Sequence, residues 1–208
     1  MRNWLGLLLL LVITCAVALT ARTQPIPAPQ ARSTAPEYDE KGDLKRPTDF
    51  RTWVFVGANI GLRYHKELPD TKPREKDLPK NDKPGEFHNV YIRPESYEHY
   101  LKTGKFPDLT VLVMDVYESK DRDTKGIVSK GLFPGAHRGF EVAVKNGKRP
   151  DGSKTDWAYY DFDKPTKATA SAFRDAACYD CHRKHASIDN VWVQFYPVLR
   201  SRVKAREK

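Results

Sequence analysis

The stretch LTVLVMDVYES, residues 109–119, alternates two kinds of position along its length. Leu112 and Met114 fall on one side of this alternation, and Val113 and Asp115 fall on the other. Residues two apart in a β-strand point to the same face of a sheet, so this period of two predicts a strand. It is the clearest strand signal in the chain, and it indicates that a β-sheet is part of the fold.

Three further segments carry β-branched and aromatic residues at the density of strands: EFHNVYIR at 86–93, FEVAVKN at 140–146 and TDWAYYDF at 155–162. The last two are separated by NGKRPDGS, which is dense in turn residues. Two consecutive strands joined by a short polar turn pair antiparallel. We therefore expect an α+β fold, mainly an antiparallel β-sheet with a few flanking helices.

Helical signals lie between and after these strands. PESYEHYLKTG, residues 94–104, begins with Pro94 and stops at Gly104, which predicts a short helix. A second helix is expected within TASAFRDAACYDCHRKHA, residues 169–186. A third is expected to begin at Asp189 or Asn190 and to be interrupted near Pro197.

The first residues have the layout of a secretory signal peptide. Arg2 precedes an apolar run from Leu5 to about Ala18, which is shorter than the roughly 20 residues of a membrane span. We expect a signal peptide over residues 1–21, so that the membrane is contacted only through this segment and the mature protein is periplasmic or otherwise exported. Cys15 is a poor lipid acceptor after Thr14, and we expect it to be removed with the signal.

Residues 22–36 contain four prolines and few apolar side chains, which predicts an extended tether before a single domain at 37–208. The chain has a formal net charge of +9. A solvated basic surface accounts for this charge, and steering toward an acidic redox partner such as a cytochrome is the functional alternative. An exported protein with no nucleic-acid-binding motif is not expected to bind nucleic acid.

The segment CYDCH, residues 178–182, places two cysteines three apart with a histidine directly after them. This motif serves covalent haem attachment, whereas zinc sites and redox dithiols use related spacings. Zinc needs further ligands, of which His185 is one candidate, and a thioredoxin-like dithiol expects alternating strands and helices. The motif therefore favours one haem c per chain, attached through Cys178 and Cys181 on a C-terminal helix, with His182 as the iron ligand.

A family resemblance extends beyond the motif. The strings WVFVGANIG, FHNVYIRPESYEHYLKTGKFPDLTVLV, WAYYDF, CYDCH and VWVQFYPVLR occur in the order typical of the cytochrome P-460 family, which includes the cytochromes c′-beta. The chain resembles this family from about Tyr38 to Arg200. The resemblance implies a periplasmic haem c protein with a mainly antiparallel β fold, often a homodimer. It also implies that Cys178 and Cys181 attach the haem and that His182 binds its iron, which stays open on the distal side.

One position departs from the enzymes of that family. Members that oxidise hydroxylamine carry a lysine, bonded to the haem ring, directly after a TVLI-like string. Here the string is TVLV and Met114 follows it, while Lys105 and Lys120 lie at or beyond the ends of the strand. A thioether has no amine to form the bond. The resemblance therefore points to cytochrome c′-beta, whose members lack the lysine and bind nitric oxide or similar small ligands.

Candidates for the distal side of the haem follow from these comparisons. Met114 is interpreted as lining the pocket, with plain core packing and iron ligation as alternatives. Asp189 and Glu141 are the candidate proton carriers, and His88 is expected to be structural. Aromatic residues that are candidates to close an apolar pocket are Phe87, Phe133 and Phe140, and arginines suited to haem propionates are Arg63, Arg93 and Arg138.

Three functions therefore stay open. The first is a haem protein that binds nitric oxide or another small nitrogen-oxide or gaseous ligand at an open iron. The second is a hydroxylamine-oxidising oxidoreductase of the cytochrome P-460 type. The third is a simple electron-transfer cytochrome, which needs a sixth protein ligand to the iron. Met114 in place of lysine favours the first.

Overall fold

The computed structural model describes residues 35–62, 85–121, 131–164 and 166–200, which belong to a compact unit spanning Ser33–Lys208. The predicted signal peptide and nearly all of the predicted tether lie outside the described residues. So do residues 63–84, which include Arg63, and the C-terminal residues 201–208. Within the described residues, no helix is long and apolar enough to cross a membrane.

A five-stranded antiparallel sheet forms the centre of the unit and confirms the predicted fold class. Its strands follow one another in chain order, so each is hydrogen-bonded to the next along the sequence. A separate two-stranded sheet pairs β1 (Leu44–Lys45) with β7 (Thr169–Ala170). The strands of the main sheet are β2 (Val54–Ile60), β3 (Glu86–Ile92), β4 (Val111–Asp121), β5 (Leu132–Lys145) and β6 (Trp157–Phe162).

Helix α1 (Pro94–Thr103) connects β3 to β4 and confirms the prediction for this segment. Pro94 occupies its first position, where a missing N–H costs nothing. Gly104 ends it in the left-handed conformation at φ 71°. A non-glycine residue would be strained there, which explains the sharp stop.

The C-terminal helices are shorter than expected. Helix α2 covers only Tyr179–His185, after a 3₁₀ turn at Asp175–Ala177. The helix predicted from Asp189 or Asn190 is wrong, because both residues have positive φ, 48° and 61°, which a right-handed helix does not allow. Within Asp189–Arg200, a 3₁₀ turn covers Val193–Phe195, and residues 197–200 are helical again.

Both faces of the sheet are covered by other segments, and β4 contributes side chains to each. We call the side that carries Leu112 and Met114 the Met114 face, and the opposite side the Asp115 face. Apolar side chains of the Met114 face pack in one cluster with α1 and the C-terminal segment that contains Cys178 and Val193. Those of the Asp115 face pack in a second cluster with the N-terminal segment around Leu44, Phe50 and Trp53. The sheet therefore separates two hydrophobic cores.

An ionic network lies on the Asp115 face. Asp115 is buried, and its carboxylate lies 2.7 Å from Nε2 of His137 and 3.0 Å from Nη2 of Arg51. Arg51 also donates to the Tyr117 hydroxyl at 3.2 Å and stacks on the Phe50 ring at 4.6 Å. These contacts compensate the cost of burying a carboxylate.

Candidate functional site

The cysteine motif is presented at the start of α2. Cys178 is the residue before the helix, and its carbonyl accepts the backbone N–H of His182 at 3.0 Å. Cys181 and His182 lie within the two turns of α2 itself. The two cysteine side chains are half-buried, and Cys178 packs against the apolar cluster that contains Met114. The motif is therefore held against the Met114 face of the sheet.

His182 sits in an aromatic enclosure with both ring nitrogens hydrogen-bonded. Nδ1 lies 2.8 Å from the carbonyl oxygen of Asn190, to which it donates its proton. That donation leaves a lone pair on Nε2, which accepts the indole N–H of Trp192 at 3.1 Å. The ring of Tyr159 lies 4.5 Å from the His182 ring, and that of Trp192 lies 5.1 Å from it.

Burial lowers the pKa of His182, although the Asn190 carbonyl acts in the opposite direction. The imidazole is therefore neutral at pH 7. A neutral imidazole with its Nδ1 proton held by a backbone carbonyl is the form in which histidine binds metals through Nε2. The surroundings of His182 thus select one tautomer and one metal-binding atom.

Two buried polar atoms beside His182 make no hydrogen bond of standard geometry among the described residues. They are the hydroxyl of Tyr159 and the side-chain nitrogen of Asn190. Burial raises the pKa of Tyr159, although the Asn190 side chain beside its hydroxyl acts in the opposite direction, so the hydroxyl keeps its proton. Buried polar groups in native proteins are nearly always satisfied. The two groups therefore serve as partners for each other beside His182.

Met114 lies on the sheet face whose apolar cluster also packs against Cys178. It pairs with Val90 on β3 and with Glu141 on β5. Side chains directly opposite in an antiparallel ladder share a face, so Glu141 lies on the Met114 face beside the methionine. Glu141 in turn pairs with Asp161 on β6. The middle of this face thus combines a thioether, an aliphatic side chain and two carboxylates.

His88 adds an imidazole to the same face. It pairs with Val116 on β4 and with Asn59 on β2, and its Nδ1 lies 3.0 Å from the side-chain oxygen of Asn59. Burial lowers its pKa, so it is neutral at pH 7. The structural role of His88 stays a prediction, and its imidazole is held by Asn59 in the middle of a strand pair.

A family model described as Cytochrome P460 matches residues 47–193. This chain belongs to the Cytochrome P460 family. The matched range contains the whole five-stranded sheet, α1, the cysteine motif and the Asn190 turn, and it covers well over half of the chain. Membership identifies the protein as a c-type haem protein. No curated protein matches the chain significantly.

The residues at the site fit a haem c. Two half-buried thiols and a neutral imidazole emerge from one short helix, which is the donor set that thioether attachment and axial ligation require. In a haem-bound protein Nε2 of His182 would be the atom available to the iron, and Trp192 would then lose its hydrogen bond to that atom.

The predicted aromatic pocket residues do not come together. Phe140 is buried in the Asp115-face cluster, with its ring 4.8 Å from Phe50 and 5.1 Å from Phe162. Phe87 pairs with Tyr117 and alternates with His88, which places it on the Asp115 face as well. The sheet thus stands between these two rings and Cys178. Neither ring is placed to line a pocket between Met114 and α2.

Phe133 lies on β5 far from Met114. It pairs with Lys120, six residues along β4 from Met114, which is about 20 Å at the rise of a strand.

The two acid candidates, Glu141 and Asp189, lie in different places. Glu141 is next to Met114, whereas Asp189 binds Lys145 and Trp157 close to the His182 turn. Asp189 is therefore not placed as a distal proton carrier.

Two arginines proposed for haem propionates are engaged elsewhere. Arg93 stacks over the Trp53 ring at 4.8 Å, and Trp53 belongs to the Asp115-face cluster. Arg138 pairs with Glu86 and Glu118, each at 3.2 Å, in an exposed network.

The residues that the sequence did not predict are those that enclose His182. Trp192 and Asn190 follow the motif closely in the sequence. The pair Asp189-Asn190 favours a left-handed turn, and this was the sequence signal for the position of Asn190.

Proposed function

We propose that this protein is an exported c-type haem protein that binds nitric oxide or a similar small ligand at an open iron site. The haem is attached through Cys178 and Cys181, and His182 is its protein ligand. The observation that carries the proposal is the position of Met114, at the middle of the sheet face that packs against the cysteine helix. A methionine at this position gives the haem a packing surface and no amine.

When bound, haem c supplies an iron with one coordination position available to a small ligand. The chain supplies the rest. His182 is held neutral and oriented by the Asn190 carbonyl. Apolar neighbours such as Val90 and Leu112 exclude water from the part of the face around Met114. Water exclusion favours a neutral diatomic ligand over charged ones.

The described lysines near this face support the absence of a lysine–haem bond. Lys145 lies on the Met114 face, but its amine is 2.7 Å from Oδ2 of Asp189 and 3.2 Å from the carbonyl of Phe106. Lys120 is about 20 Å from Met114 along β4. Neither amine occupies the position that Met114 holds.

One observation favours the alternative, a hydroxylamine-oxidising enzyme. Glu141 lies beside Met114 on the same face, where a carboxylate accepts protons released by a substrate. The electron-transfer alternative requires Met114 to bind the iron through sulfur. Met114 is paired on both sides in the middle of the sheet, which leaves the residue little freedom to approach a metal. We therefore rank ligand binding above both alternatives.

The test uses the purified haem-loaded protein, its absorption and electron-paramagnetic-resonance spectra, and titration with nitric oxide. We expect high-spin, five-coordinate iron, no red-shifted Soret band, and saturable binding of nitric oxide. Low-spin iron in both oxidation states would overturn the open site. Rapid oxidation of hydroxylamine to nitrogen oxides would rank the enzyme first.

Two variants at position 114 sharpen the test. Met114→Lys introduces an amine where the hydroxylamine-oxidising members carry one, so we expect a red-shifted Soret band. Met114→Leu is the matched control because it preserves volume without an amine or a thioether, and we expect its spectrum to equal that of the wild type. A Met114→Lys spectrum identical to the control would show that position 114 does not face the haem.

A further inference from the structure

The turn after α2 has an unusual backbone. Asp189 and Asn190 both adopt left-handed φ values, 48° and 61°, between Ile188 and Val191, whose backbones are bridged at 2.8 Å. Asn and Asp tolerate this region better than other non-glycine residues, but it still costs free energy. A strained turn persists when its surroundings hold it. The result is that the Asn190 carbonyl points at Nδ1 of His182.

The surroundings that hold the turn come from the sheet. The carboxylate of Asp189 uses both oxygens: Oδ2 lies 2.7 Å from the amine of Lys145, and Oδ1 accepts the indole N–H of Trp157 at 3.2 Å. Lys145 and Trp157 are direct partners in the β5–β6 ladder. The two donors therefore come from one rigid place at the end of the sheet.

Each of these donors is itself fixed. Trp157 is fully buried, and its ring packs edge-on against Phe106 at 6.4 Å, which stacks on Tyr100 at 4.4 Å. The amine of Lys145 also donates to the Phe106 carbonyl at 3.2 Å. The side chains of Lys145 and Asp189 are only 20% and 25% exposed, so their ion pair is screened less than a surface pair. Asp189 thus ties the turn to the core.

We propose that Asp189 is a positioning residue for the haem iron. Held by Lys145 and Trp157, it fixes the turn so that the Asn190 carbonyl accepts the Nδ1 proton of His182. A hydrogen bond of this kind raises the basicity of a histidine ligand and fixes its orientation. Asp189 therefore sets how strongly His182 donates to the iron. The inference rests on His182 as the iron ligand and not on which small molecule the iron binds.

The test compares three variants in the haem-loaded protein. Asp189→Gly removes the carboxylate without adding strain, because glycine accepts a positive φ. Lys145→Met removes one of the two anchors and is the milder change. Asp189→Asn tolerates the left-handed turn and keeps an oxygen acceptor, so it is the conservative variant. Asp163→Ala is the matched control, since it removes an exposed Lys–Asp pair, with Lys167 at 3.9 Å, far along the chain from the turn.

The readouts are the iron–histidine stretching frequency by resonance Raman spectroscopy and the midpoint reduction potential. We expect Asp189→Gly and Lys145→Met to lower the frequency and raise the potential, because a less basic ligand binds ferric iron less well. Asp189→Asn is expected to shift both quantities less, and Asp163→Ala to shift neither.

A merely structural role for Asp189 gives a different pattern. It would lower the urea midpoint of the variants while the frequency and the potential stayed at their wild-type values, and this outcome would overturn the inference. If Asp189→Gly does not yield folded haem-loaded protein, Lys145→Met decides by the same two readouts. A wild-type protein whose reduced, five-coordinate iron shows no iron–histidine band would reject His182 as the ligand, and the inference with it.

Discussion

Met114 and Asp115 are consecutive in β4 and enter different cores. Met114 packs against the same apolar cluster as Cys178, whereas Asp115 lies under His137 and Arg51 on the other side of the sheet. The alternation of a strand forces this separation. Two neighbouring residues of one strand therefore belong to different cores, one on the side of α2 and one on the opposite side of the sheet.

Replacing Asp115 should change stability and leave the haem unaffected. We expect Asp115→Ala to lower the free energy of unfolding by about 1.5–3 kcal/mol, the range for hydrogen bonds to charged groups, because His137 and Arg51 lose their shared acceptor. Urea denaturation of the haem-loaded protein measures this loss, and absorption spectroscopy checks the haem. Glu118→Ala, which breaks an exposed pair with Arg138, is the control and should cost less than about 0.5 kcal/mol. A shifted Soret band with unchanged stability would contradict the assignment of Asp115 to the far face.

Replacing Phe140 tests the same separation through packing. Phe140 is 2% exposed between Phe50 and Phe162, so Phe140→Ala should cost about 3–5 kcal/mol through lost burial and the cavity left behind. We expect the affinity for nitric oxide and the haem spectrum of the folded variant to stay at wild-type values. Phe140→Leu, with a smaller cavity, keeps the protein measurable if the alanine variant does not fold. An altered ligand affinity in a fully folded Phe140→Leu protein would return Phe140 to the distal pocket.

His88 should make stability depend on pH. Burial lowers its pKa in the folded state below the ordinary value of 6.5, so the unfolded chain binds the proton more tightly. The stabilisation is therefore complete above about pH 6.5 and is lost as the pH falls through the window below it, with a slope of up to about 1.4 kcal/mol per pH unit. With His182 bound to iron as proposed, its imidazole would not titrate and would not add to this slope.

The measurement for His88 is a series of urea midpoints between pH 8 and pH 5 for wild type and His88→Gln. Glutamine keeps an N–H donor for the Asn59 side chain but does not titrate, so we expect a flatter profile. Parallel profiles for the two proteins would show that folding does not lower the pKa of His88.

The strands were predictable because each buried face leaves a period of two in the sequence. The alternation in 109–119 and in 140–146 gave the strands and the sets of residues that share a face. The same alternation does not say which face turns toward the cysteine helix. Phe140 was therefore predicted at the pocket, whereas its neighbour Glu141 is the residue that lies beside Met114.

The sequence by itself determined the antiparallel sheet and the family, and it predicted the haem chemistry of the cysteine motif, since these depend on local period and on residue types at fixed spacing. Only the tertiary structure decided what surrounds His182. Tyr159 reaches it from β6 and Asn190 from a left-handed turn, while Lys145 and Trp157 hold that turn through Asp189. These contacts join residues from three separate segments, and their geometry follows from how the sheet packs against the C-terminal chain, which no local pattern records.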